Sequence, residues 1–328
     1  MRFVVGLLLL ALAVCGAAYW WATAQPLHVP PGGYALEVRP GAKLRSVAHD
    51  LTAADVLPAD WTLVALARLS RADRTIKAGN YEIGAGTTLA GLMAKLTQGD
   101  VTQFSIAIVE GWTVRDLKAA LNSDAKIVKR VIDLPDAELM RSIGATETAP
   151  EGLFFPDTYF FAGGSSDAAL LARAYRVMQA RLDAAWAARA SDLPLANPYE
   201  ALTLASIVEK ETGRPADRPL VAAVFINRLK LGMRLQTDPA VIYGIGERFD
   251  GNLRKSDLER DHAFNTYVRS GLPPTPIALP GQASLDAVLH PAAVPYLYFV
   301  ARGDGSSEFS TNIADHNRAV AKYQRGGR

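Results

Sequence analysis

The first apolar block of the chain runs without a charge from Phe3 to Ala22 (FVVGLLLLALAVCGAAYWWA). That is about the 20 residues a helix needs to cross the hydrocarbon of a bilayer. The Pro/Gly-rich stretch Gln25 to Gly33 (QPLHVPPGG) then predicts a stiff linker. Beyond it one pattern recurs. GAKLRSVAHDL from Gly41, GTTLAGLMAKL from Gly86 and GWTVRDLKAAL from Gly111 each place Gly first and an aliphatic residue fourth, seventh and eleventh. Offsets of three and four put those aliphatics on one face of a short helix. The glycine makes the turn, and in two copies a threonine near the helix start can cap it. Each copy follows a strand-like piece (YALEVRP, GNYEIGA, FSIAIVE), so the pattern predicts three strand-turn-helix units.

Past residue 105 the pattern lengthens. Ala168 to Ala190 is an alanine-rich amphipathic helix and Tyr199 to Thr212 a second. Arg218 to Leu231 is a third, with Asp217 as its cap, Pro219 early enough to be tolerated and Gly232 as its stop. From Leu253 onward Pro, Gly, Asn and Tyr dominate, as in FNTYVRSGLPPTPIALPG, which predicts ordered loop, and YLYFVA (Tyr296 to Ala301) is the clearest strand. The expected fold class is α+β, divided into an apolar helix at 1–23, a linker at 24–34, a small β/α subdomain at 35–104 and a mixed α+β domain at 105–328.

Composition narrows the function. With 49% hydrophobic and 21% charged residues among 328, the chain is of globular type, and a net charge of +2 gives no reason to expect a nucleic-acid partner. Tyr19, Trp20 and Trp21 suit a headgroup interface at the end of the apolar run, which favours an uncleaved anchor over a cleaved signal peptide. Arg2 ahead of the span puts the N-terminus in the cytoplasm and the rest across the membrane. The single cysteine, Cys15, lies inside that span, so the soluble part has neither an intrachain disulfide nor a cysteine nucleophile. HExxH, GxSxG and GxxxxGK[ST] are all missing from the sequence, and no metal or cofactor is expected. One SxxK, Ser123 to Lys126, lacks the partner motifs of a serine acyltransferase and reads as a solvated loop.

The stretch ASIVEKET, Ala205 to Thr212, carries the candidate chemistry. On a helix Glu209 shares the face of Leu202 and Ala205, seven and four positions earlier, while Glu211 lies about 200° round from it. The two cannot point at one site. A carboxyl group at the end of an apolar face is desolvated and stays protonated near neutrality, which suits a general acid. The structural alternative is a Glu209 paired with a cation such as Arg228 or Arg234.

These motifs are familiar in combination. ASIVEKE, VFINRLKLGMRLQTDPAVIYG (Val224 to Gly244), FNTYVRSGLPPTPIALPG (Phe264 to Gly281), HPAAVPYLYFVA and FSTNIADHN (Phe309 to Asn317) resemble, in the same order, those of the YceG-like endolytic murein transglycosylase family. EGLFFPDTY (Glu151 to Tyr159) resembles an earlier motif of that family, and the first two glycine-led units resemble LysM, a small sugar-binding module. The resemblance implies a bacterial inner-membrane protein with its catalytic domain on the periplasmic side. It implies cleavage of the MurNAc-GlcNAc β-1,4 bond inside peptidoglycan glycan strands, leaving a 1,6-anhydro end, beside the peptidoglycan synthases (penicillin-binding proteins). It places the catalytic acid at Glu209 and gives Glu211 no role. Gln236, Asp238 and Asn265 are expected nearest the site, with Tyr267, Asn227 and Arg228 as further sugar-binding candidates and Asn312, Asn317 and His316 behind them. A hydrolase using Glu209 with Asp238, and a wall-binding scaffold without catalysis, stand as the alternatives.

Overall fold

The computed structural model describes residues 2–30, 33–39, 41–72, 76–100 and 103–325. Pro31 and Gly32 of the expected linker, and Pro40 at the end of the first strand-like piece, lie outside them. The chain divides into two compact units, one formed by residues 1–105, 126–128 and 160–165 and the other by 106–125, 129–159 and 166–328. The architecture is mixed α+β.

The first unit begins with α1 (Arg2–Ala24), whose stretch Val4–Ala24 has a mean hydropathy of 2.1 and is long and apolar enough to cross a membrane. Then come β1 (Tyr34–Val38), α2 (Leu44–Ala53), α3 (Asp60–Leu69), β2 (Gly79–Ile83) and α4 (Leu89–Gln98). β1 and β2 pair antiparallel, Leu36 opposite Tyr81. Their inward residues Leu36, Val38, Tyr81 and Ile83 pack with Val47, Leu51, Leu63, Leu92 and Leu96 of the three helices. The predicted turn glycines have left-handed backbones, with φ of 81° at Gly41, 85° at Gly86 and 78° at Gly111, a region other residues enter only at a cost. Thr88 caps α4, accepting from the Gly91 N–H at 3.1 Å. The expected linker is docked at its start. Leu27 is buried and its N–H donates to the Thr87 carbonyl at 2.8 Å, while Trp21 and Ala22 at the end of α1 join the same core.

β3 (Gln103–Ala107) and β4 (Thr158–Ala162) form a second strand pair. The second unit continues with α5 (Val114–Ser123), α6 (Asp136–Ser142), α7 (Asp167–Ala187), α8 (Pro198–Glu211), α9 (Arg218–Lys230), α10 (Asp238–Ile245), α11 (Lys255–Glu259) and α12 (Gln282–Leu289). It closes with the antiparallel pair β5 (Tyr298–Ala301) and β6 (Ser307–Ser310), then α13 (Ile313–Val320). Thr113 and Asp116 form a capping box at the start of α5. α8 is the central element. It opens on Asn197, whose side chain accepts from the Glu200 N–H, with Pro198 in the first turn. Every residue from Ala201 to Val208 is buried, as a helix apolar all round must be, and α7, α9, α10 and α12 pack on it.

Two expectations change here. Asp217 does not cap α9; its carboxylate accepts instead from the Ser307 N–H at 3.0 Å, tying α9 to β6. The Pro-rich tail also holds two short helices, α11 and α12, whose patterns span only five and eight residues.

Candidate active site

α8 ends in two carboxylates with opposite environments. Glu209 emerges toward the starts of α9 and α12, and its side chain is only 6% exposed. One of its oxygens receives Arg218 Nη2 at 3.1 Å; the other accepts from the Gly281 N–H at 3.0 Å and from Ser284 Oγ at 2.7 Å. Gly281 is the N-cap of α12 and has no side chain to offer. Glu209 therefore supplies the missing cap from another helix and sets a negative charge at the positive end of α12. The expectation of an unpaired, apolar seat for Glu209 is not met. It has a cation partner, and that cation is Arg218, neither Arg228 nor Arg234.

Glu211 points elsewhere. Its Oε1 receives the Thr237 hydroxyl at 2.5 Å, and it lines a cavity of about 510 Å³ with Arg228, Gln236, Asp238, Tyr267, Tyr298 and His316, a volume in the range of small-ligand sites. Burial pushes the Glu211 carboxyl up to about 7, a rise that the Thr237 hydrogen bond and Arg228 oppose and Asp238 reinforces. Glu211 is thus a desolvated carboxyl two residues beyond Glu209.

The wall opposite α8 is the loop between α9 and α10. Gln236 has φ of 51°, a left-handed backbone for a residue with a side chain. The strain is held by pairing with a second loop: the Gln236 N–H donates to the Thr266 carbonyl at 3.1 Å and the Thr237 N–H to Thr266 Oγ1 at 3.0 Å. This fixes the buried Thr237 under Glu211 and leaves Gln236 and Asp238 exposed in the cavity. Asp238 accepts from the Tyr267 hydroxyl at 2.5 Å, and that phenol is pushed up beyond its ordinary range, first by burial and then by its bond to Asp238.

Arg228 forms the floor. It is buried, donates from Nε to the Leu297 carbonyl and from Nη1 to the Leu235 carbonyl, both at 2.7 Å, and lies over the Tyr298 ring at 5.1 Å. Burial pulls its guanidinium below the usual arginine value. His316 stacks on Tyr298, with ring centres 5.2 Å apart, and its Nδ1 is buried without a partner. Burial and the charge of Arg228 pull it down, toward the neutral imidazole.

The remaining candidates are structural. Asn265 is fully buried and absent from the cavity lining; its amide donates to the carbonyls of Asp257, Leu258 and Arg260, and its oxygen accepts from the Tyr267 N–H. Asn265 thus braces the loop that carries Tyr267. Asn227 donates to the carbonyls of Val294 and Tyr296, and Asn312 caps α13. Asn317 is exposed on α13 and does not line the cavity. Sequence reasoning missed Glu211, Arg218 and Tyr298. For Glu211 a signal existed: it is the second carboxylate after an apolar run, about 200° round the helix from Glu209 and so facing different neighbours. Among the described residues no group of His, Cys, Asp or Glu is arranged to hold a metal ion.

The profile of the YceG-like family matches residues 36–322. The endolytic murein transglycosylase of Bacillus subtilis strain 168 is 31% identical over 307 residues, covering 88% of this chain and 84% of that protein. Its counterpart in Streptococcus pneumoniae strain D39 is 27% identical over 284 residues, covering 76% of this chain but 51% of the longer relative. A crystal structure of a YceG-like protein from Listeria monocytogenes superposes with a TM-score of 0.55 at 27% identity, over 87% of this chain and 98% of that one. The chain belongs to the YceG-like family.

Proposed function

We propose that this protein is an endolytic peptidoglycan transglycosylase, held in the bacterial inner membrane by α1 with its N-terminus in the cytoplasm. It cleaves the β-1,4 bond between N-acetylmuramic acid and N-acetylglucosamine within glycan strands. The observation that carries the reading is a desolvated carboxyl, Glu211, pushed up to about 7 by burial beside a polar cavity, in a chain whose relatives are named endolytic murein transglycosylases. Protonated Glu211 gives its proton to the glycosidic oxygen as the C1–O bond breaks, and an oxocarbenium-like centre develops at the muramic C1. The resulting carboxylate takes the proton of the C6 hydroxyl as O6 bonds to C1. A 1,6-anhydro end forms, no water is consumed and Glu211 is regenerated. Because the nucleophile belongs to the substrate, proximity replaces a water-activating base.

Glu209 in this reading positions the helix end, Gln236 and Asp238 offer hydrogen bonds to sugar amide and hydroxyl groups, and the LysM-like first unit guides the strand. Cleavage of nascent strands near the membrane places the enzyme beside the peptidoglycan synthases. The test is digestion of uncrosslinked glycan strands by the full chain in detergent, with mass analysis of the new ends, for the wild type, Glu211→Gln and Glu209→Gln. Anhydro ends from wild type and Glu209→Gln, and none from a folded Glu211→Gln, are expected. A folded but inactive Glu209→Gln beside an active Glu211→Gln would return the acid to Glu209. Reducing ends would mean attack by water, with Asp238 as the base in the same cavity.

A further inference from the structure

Glu151, in the EGLFFPDTY motif, has no part in the chemistry above, yet it is a carboxyl with only 6% exposure. It lines a second cavity in the same unit, about 840 Å³, with Arg115, Lys210, Pro239, Tyr243 and Phe249. Both cavities are built on the same two elements at adjacent residues: on α8 Lys210 faces the second and Glu211 the first, and on α10 Pro239 faces the second and Asp238 the first. The second cavity is thus built on the same two helices as the first, one residue along each from Glu211 and Asp238.

The lining defines the ligand. Its charged groups have partners within the protein: Arg115 lies 3.8 Å from Glu247, Asp116 closes the capping box of α5, and Lys210 Nζ donates to the Gly111 carbonyl at 3.1 Å. Glu151 accepts from the Val114 N–H and the Tyr243 hydroxyl, each at 3.0 Å, and burial pushes it up to about 7. Ring and proline faces from Tyr243, Phe249 and Pro239, with polar groups between them, suit a ligand with apolar faces and many hydroxyls. We propose that this second cavity binds the part of the glycan strand flanking the cleaved sugar, so that α8 and α10 hold the strand on both sides of the bond. This rests on the transglycosylase reading and explains cutting inside a strand, where sugar must continue past the acid in both directions.

The test measures binding to the full chain in detergent carrying Glu211→Gln, using a tetrasaccharide and long peptide-free strands. Adding Phe249→Ala, or separately Arg115→Ala at the exposed rim, lowers the ratio of long-strand to tetrasaccharide affinity, by about tenfold for the aromatic truncation. An unchanged ratio, equal weakening of both ligands, or no binding of long strands overturns the proposal. Failure of the transglycosylase reading would show separately, as a wild-type digest without anhydro ends, and the binding ratio would still decide the second cavity.

Discussion

Replacing Glu209 and Glu211 by glutamine, one at a time, is predicted to move stability and activity in opposite directions. Glu209→Gln keeps one oxygen as acceptor for the start of α12 but removes the charge facing Arg218, whose side chain is 12% exposed and whose Nε has no partner. Breaking a buried ion pair from one side costs about 3–5 kcal/mol. Glu110, 4.0 Å from Arg218 and half exposed, compensates in part, which points to the lower figure. For a unit of this size each kcal/mol is roughly 2–4 °C, so unfolding should fall by roughly 6–12 °C. Glu211→Gln instead removes a carboxyl whose ionisation the fold opposes: a rise from 4.5 to about 7 corresponds to up to about 3 kcal/mol against the charged form. At pH 8 that variant should be as stable as wild type or more so, and inactive. Thermal unfolding and strand cleavage, measured on the same preparations below the lower midpoint, read both effects. A Glu209→Gln protein that melts with the wild type would refute the anchoring argument, and one that is stable but inactive would refute the assignment of the acid.

Three further predictions follow from individual groups. Because the general acid must carry its proton, the single-turnover cleavage rate should be flat at acidic pH and fall about tenfold per unit above about 7, the value to which Glu211 is raised; a rate that climbs through that range would exclude it as donor. Glu151 is raised from 4.5 to about 7 by burial, so the native state binds the extra proton and stability is lost as pH rises from about 4.5 to 7. Glu151→Gln should flatten that slope and stabilise the protein at pH 8 by up to about 3 kcal/mol, as denaturant titration at several pH values would show. Asn265→Ala strands the carbonyls of Asp257, Leu258 and Arg260; it should cost about 2–4 kcal/mol of stability and, by loosening the loop under Tyr267, affect KM more than kcat.

Local order was legible where a short pattern carries its own physics. The three glycine-led units became β1 to α2, β2 to α4 and β3 to α5, with the glycines left-handed and Thr88 and Thr113 capping, because turn, cap and apolar stripe all lie within a dozen residues. What was not legible depends on partners far along the chain. α12 has no cap of its own, and the groups that complete it stand 72 and 75 positions away on Glu209. Arg218 could be identified as the cation for Glu209 only once α9 had turned back beside α8. Asn265, a plausible sugar ligand by residue type, is fixed as a brace by three carbonyls of a loop whose path no periodicity announces.

Two demands meet at the end of α8, and they fall on different carboxylates. Glu209 is held by donors from neighbouring helices: Arg218 of α9, and the Gly281 N–H and Ser284 hydroxyl at the start of α12. Glu211 faces a cavity in which the Thr237 hydroxyl is its hydrogen-bond partner, and burial pushes its carboxyl up to about 7. Holding the helix end and facing the cavity thus fall to different side chains. The spacing of Glu209 and Glu211 by two residues supplies both from a single turn of helix. The rigidly bound carboxylate fixes where the other stands relative to Gln236, Asp238 and Tyr267.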